Sequence, residues 1–232
     1  MDGREVTLDF EDVPAFTTDN MKGWTTVDRD GHLTLTFVQY YNNYWPYAHQ
    51  PLAWMTWSAK EAGCPTATMW QAYESEKCLI HWGNYGADAE GRTNNEPDDD
   101  WFISPEIKGG SEFSFMTMAN NQPNSIEILT SSTDREPDSF TNKVKTVTYD
   151  AAGAWQEVKV TLPADAKYVA IHTVLDGFGT MIDNIKYTEA KAPKLLSYNI
   201  YCGTENTGSA TTTSAKAEGA SGNYAVSAVY DL

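Results

Sequence analysis

Trp155-Gln156-Glu157-Val158-Lys159-Val160-Thr161-Leu162-Pro163-Ala164-Asp165-Ala166-Lys167-Tyr168-Val169-Ala170-Ile171-His172 decides the fold class. Val158, Val160 and Leu162 alternate with polar neighbours, and Val169 and Ile171 repeat the pattern after Pro163-Ala164-Asp165. A strand sends successive side chains to opposite faces, so such a stretch puts one face in a core and one in water. Alternating runs joined by short turns predict antiparallel sheets packed in a sandwich.

The same period recurs outward in both directions. It is found in Val6–Phe10, Leu33–Phe37, Phe113–Met118, Ser125–Leu129, Val144–Val147 and Met181–Tyr187, with Lys77–Trp82 a further strand. Asp30-Gly31, Lys108-Gly109-Gly110, Asn120–Asn124 and Ala152-Gly153 punctuate them. Helical pattern is scarce. Residues 134–140 allow one short turn, and Ala53–Ala62 reads as helix or as sandwich wall. The expectation is an all-β fold, an antiparallel jelly-roll β-sandwich. A boundary is expected near Thr188–Pro193, giving a main domain over 1–190 and a small β appendage over 191–232. The appendage is too short to bury much core of its own.

Composition narrows the function. The 232 residues carry 16 basic and 32 acidic side chains, a formal charge of −16, which repels phosphate backbones and anionic lipid. Nucleic-acid binding and direct membrane insertion are therefore not expected, and no window is long and apolar enough for a spanning helix. Aromatics make up 12% and charged residues only 21%, a balance suited to exported β-proteins that meet sugars or proteins. The first residues lack a signal-peptide pattern and the last fall within a strand pattern. The expectation is a processed or trimmed piece of a longer secreted or cell-surface polypeptide. Cys64 and Cys78 could close a loop, leaving Cys202 over, and no zinc-type spacing occurs.

Several motifs resemble one family. Phe10-Glu11-Asp12 followed by Gly23-Trp24 and Val27-Asp28-Arg29-Asp30-Gly31 is similar to the opening of the cleaved-adhesin domain. This is the gingipain haemagglutinin-type, choice-of-anchor jelly roll of Bacteroidetes surface proteins. Asp100-Trp101-Phe102-Ile103-Ser104-Pro105 resembles its middle strand, and Ile128–Thr133 its Ser-Ser-Thr element. Trp155 through Pro163, Lys167–His172 and Ile182-Asp183-Asn184-Ile185 follow in family order, so the resemblance covers roughly residues 6–188. The tail, with Tyr198–Tyr201 and Tyr224–Tyr230, resembles a partial fibronectin-III-like unit. The stretch 38–73 departs from the family by its length and its wealth of Trp and Tyr.

The resemblance implies calcium, with Glu11 after the first strand and Asp183 on the last as ligands. The Asp28-x-Asp30-Gly31 turn offers a second set, because alternate carboxylates around a glycine turn can face one ion. Gln39 stands where an EF-hand would need its Glu, and the two aspartates could instead serve the turn alone. Asp98–Asp100 reads as a solvated loop with a lesser claim to a cation. Tyr44, Trp45, Tyr47, Trp54 and Trp57, mixed with Asn42, Asn43, His49 and Gln50, suit stacking on sugar rings, or else the core packing of an unusual loop. No nucleophile elbow, zinc-protease motif or phosphate loop is present, so no catalytic residue is assigned. The reading is an extracellular adhesion or binding module for glycan or host and matrix protein, with structural calcium. A non-binding spacer and a jelly-roll hydrolase are the alternatives.

Overall fold

A computed structural model of the chain describes residues 3–34, 45–66, 68–83, 97–120, 124–149, 151–176, 178–190, 194–202, 205–211 and 224–231. Tyr44 and the expected strand beyond Thr34 lie outside them. The chain divides into two compact units, residues 3–190 and the segment from Lys191 on.

The larger unit is a sandwich of two antiparallel sheets. One holds β1 (Glu5–Leu8), β3 (Trp54–Trp57), β4 (Cys78–Trp82), β6 (Glu112–Ala119), β9 (Gln156–Thr161) and β11 (Gly179–Thr188). Its order is β3-β4-β11-β6-β9, with β1 paired to the second half of β11. The other sheet runs β2 (Thr25–Asp28), β5 (Pro97–Ile103), β10 (Tyr168–Asp176), β7 (Asn124–Ser131), β8 (Asn142–Thr148). Crossovers between non-consecutive strands in both sheets make this a jelly-roll-type sandwich. The two runs flanking Pro163–Asp165 are β9 and β10 of different sheets, so this turn spans the sandwich edge.

Inward residues of both sheets form the main core. Leu8, Leu79, Phe113, Phe115, Ile182 and Ile185 meet Phe102, Ile126, Ile128, Val169 and Ile171, with Trp24 stacked on Phe102 at 4.7 Å. The alternation of the sequence is thus the inside-outside alternation of the strands. Pro137–Ser139 forms one 3-10 turn, inside the 134–140 stretch. Residues 53–62 contribute strand β3, not a helix.

A second core lies on the outer face of the six-stranded sheet. Met55, Trp57, Cys78, Ile80, Trp82, Met118 and Met181 project there and are covered by Trp45, Ala59, Ala62, Cys64 and Trp70. Both faces of β3 and β4 are therefore buried, which is why their sequences show no alternation.

The smaller unit is a three-stranded antiparallel sheet in the order β13-β12-β14, from Glu205–Ala210, Lys194–Cys202 and Tyr224–Asp231.

Candidate functional site

The structure corrects the aromatic platform first. Trp54 and Trp57 have no exposed surface and Trp45 only 3%. Trp54 belongs to the main core, 6.4 Å from the Phe102 ring. Trp45, Trp57, Trp70 and Trp82 pack on one another, with Trp45 stacked on Trp82 at 4.7 Å and Trp57 edge-on at 5.0 Å. The Trp57 indole N–H donates to the Trp70 carbonyl at 3.0 Å. These rings offer no face to a sugar; each buries a large apolar area in protein instead. Tyr47 alone of the described set is exposed, on a loop where both it and His49 take positive φ.

The carboxylates sort differently. Asp28 ends β2, Asp30 follows in the turn, and Asp100 comes from β5, which pairs with β2 in the register Asp28↔Asp100. One oxygen of each lies within 4.8 Å of the others. Two oxygens bound to one calcium are at most about 5 Å apart, so this trio fits a hard cation. The supposed solvated loop 98–100 is strand: Asp98 and Asp100 are buried at 5% and 3% exposure. Asp99 points outward to the His172 ring, which stacks on Trp101 at 3.9 Å.

Asp100 Oδ2 takes His81 Nε2 at 2.8 Å across the sandwich, while Oδ1 is buried without a hydrogen-bond partner. A buried carboxylate oxygen in that state carries a desolvation cost that a bound cation would offset. Burial pushes the Asp100 carboxyl up to about 6, against the pull of His81, and Asp30 and Asp28 add repulsion. Asp28 also accepts the Gly31 N–H at 2.7 Å, and Asp30 those of His32 and Asp99. Turn chemistry and ion binding are compatible here, since an ionised carboxylate has about four acceptor positions.

Glu11 and Asp183 behave otherwise. Glu11 Oε1 accepts the backbone N–H groups of Glu76 and Lys77 at 3.1 and 2.7 Å. Asp183, fully buried, accepts those of Tyr73 at 3.0 Å and Asn184 at 2.7 Å, with Ser75 Oγ 3.0 Å away. Backbone donors thus hold one oxygen of the exposed Glu11, and donors hold both oxygens of the buried Asp183.

Burial pushes the Asp183 carboxyl up to about 7, with the three donors pulling the other way. A raised folded-state value means the folded chain holds the proton more tightly than the unfolded chain. The associated stability is complete below about pH 4 and is lost as pH rises through about 7. His172, lowered by burial, works in the opposite sense, but its contribution is complete above about 6.5. In chelator, melting temperature should therefore fall between pH 6.5 and 8, as read by circular dichroism. A rise across that interval would contradict the Asp183 assignment.

The third feature is a groove on the part of the six-stranded sheet's outer face that the tryptophan cluster leaves uncovered. Two adjoining cavities of about 400 and 390 Å³ share Ser114 and Lys186. Tyr73, Glu74, Met116, Glu157 and Asn184 line one; Glu5, Thr7, Glu112 and Thr188 line the other. Tyr73 packs on Trp155 with ring centroids 5.6 Å apart, both half-buried. Glu74 and Asn184 adopt positive φ (54° and 49°), and Asn184 lies in the register break of β11 that turns its side chain to the groove. Backbone in the left-handed region is uncommon for non-glycine residues and is enriched at binding sites. These residues come from five segments, so no local motif announces them.

The fold is that of the antiparallel jelly-roll-type β-sandwich domains. In particular, the chain resembles cleaved adhesin domains of Lys-gingipain. It is 21% identical to the K1 domain from Porphyromonas gingivalis, with a TM-score of 0.56 over 81% of this chain and 99% of that one. The K2 domain gives 20% and 0.57 over 80% and 98%, and the P. gingivalis K3 domain 20% and 0.52 over 81% and 100%. No protein-family model and no curated protein matches the sequence.

Proposed function

We propose that the chain is a non-catalytic, secreted or cell-surface binding module that seats a glycan in the Tyr73–Lys186 groove. A structural calcium at Asp28, Asp30 and Asp100 holds the β2–β5 end of the sandwich. The groove carries the reading. It combines one aromatic wall with convergent amide, hydroxyl, ammonium and carboxylate groups in a volume typical of small-ligand sites. The Tyr73 ring offers an apolar face to sugar C–H groups, while Asn184, Lys186 and Glu157 can meet hydroxyls. The fold shared with adhesin domains supports placement outside the cell and within a longer polypeptide. No helix among the described residues is long and apolar enough to cross a membrane.

A glycan screen by calorimetry tests this, with Tyr73→Ala and Lys186→Ala beside the parent chain. Both side chains leave the main core untouched, so the variants should fold. Tyr73→Ala should weaken the best ligand by about tenfold or more, the equivalent of roughly 1.4 kcal/mol. No reducing ends should appear on prolonged incubation. Equal affinity in both variants would remove the groove from consideration, and steady sugar release would make the chain a hydrolase.

A further inference from the structure

We propose that the groove takes a chain of uncharged sugars, at least two rings long, laid along β6 and β11, and turns away uronic-acid and sulfated glycans. The inference rests on the glycan reading of the groove and adds its substrate class. Length comes first. Met116 lines one cavity, Glu112 the other and Ser114 both, so the groove follows β6 from Glu112 to Met116. At about 3.3 Å per strand residue those steps span roughly 13 Å, longer than one sugar ring. Lys186, opposite Ser114 in the β6–β11 register, is the other residue common to the two halves. A ring stacked on Tyr73 fills one half only, and the next ring of a chain lies over Ser114 and Lys186.

Charge sets the class. Glu74 and Glu157 line the first half, Glu5 and Glu112 the second, and all four are exposed. Against these four carboxylates the lining holds one ammonium, that of Lys186. Lys159 stands opposite Ser114 on β9, but its ammonium is 3.0 Å from Glu112, and Glu157 also stabilises its charge. That cation is thus matched to the groove's own carboxylates. A uronate or sulfate would enter a lining of four Glu against one Lys, on a chain whose formal charge is −16. Like charges brought together in this way are how a binding surface suppresses wrong partners. Sugar hydroxyls meet the same groups without that cost, since carboxylates accept from them and the ammonium donates to them.

The test is calorimetry on the unmutated chain with neutral tetrasaccharides (cello-, xylo-, manno-, galacto- and laminari-) beside oligogalacturonate, oligomannuronate and heparin tetrasaccharides. The best neutral chain should bind at least about tenfold tighter than every acidic one at low salt. Its constituent monosaccharide should bind at least about tenfold more weakly than the tetrasaccharide, because half of the groove then stays empty. Raising salt from about 20 to 500 mM screens exposed charges, and should narrow the neutral-to-acidic ratio by about threefold. Glu5→Gln/Glu74→Gln, at two exposed positions, should narrow it by a similar factor, about threefold, at low salt. Three results overturn the inference: an acidic chain bound as tightly as the best neutral one, a monosaccharide that matches the tetrasaccharide, or a ratio that neither salt nor the double variant moves. Silence toward every glycan, or neutral binding that Tyr73→Ala leaves intact, would instead remove the groove reading itself, and this inference with it.

Discussion

Trp57→Ala should unfold the chain some 6–20 °C below the parent, the consequence of losing about 3–5 kcal/mol from a large-to-small change in a packed core. The indole is enclosed by Trp45, Trp82 and Phe16, and its N–H is committed to the Trp70 carbonyl. Truncation leaves a cavity among rings too large to close over it, and a carbonyl without its donor. The protein that remains folded should bind glycan as tightly as the parent, because nothing of Trp57 reaches the surface. Calorimetry well below the melting temperature separates the two effects. An unchanged melting temperature with lost binding would return Trp57 to the role of sugar platform.

The second large effect concerns the aspartate cluster. Saturating calcium should raise the melting temperature of the unmutated chain by about 5–11 °C. That is the shift expected when an ion at one hundred times its dissociation constant binds only the folded state, about 2.7 kcal/mol. Asp30→Asn should abolish most of this response. Its neutral amide still accepts a turn N–H but no longer supplies an ionic ligand. In chelator the same variant should melt within a few degrees of the parent, since the relief of repulsion at the buried Asp100 is offset by an NH2 group facing one of the two N–H donors that Asp30 accepts. The response should also be smaller at pH 5 than at pH 7.5, because protons compete for Asp100 and must be displaced. A calcium shift that survives Asp30→Asn would place the ion elsewhere.

The alternating strands, their inward faces and the sandwich class were legible in the chain, while β2 and the first half of β5 were not. Phe113 and Phe115, Ile126 and Ile128, and Val169 and Ile171 sit two apart because a pleated strand buries every second side chain. That signal is local, and it survives whatever the strands pack against. It gives no information where a strand is covered on both sides, as at Trp54–Trp57 and Cys78–Trp82. There the tryptophans read equally as platform or core, and only the cover from residues 45–72 decided for the core.

The sites needed tertiary structure for the same reason. Asp28 and Asp30 were visible as a turn pair, but their third partner depended on the β2–β5 register, which sets Asp100 opposite Asp28. Glu11 and Asp183 matched a calcium pattern in sequence, and only the tertiary structure brought backbone N–H groups of residues 73–77 onto their carboxylates. Composition and period thus determined an acidic all-β sandwich. Which side chains face an ion, a ligand or one another was decided by contacts between distant segments, whose energies depend on burial and register that no local pattern encodes.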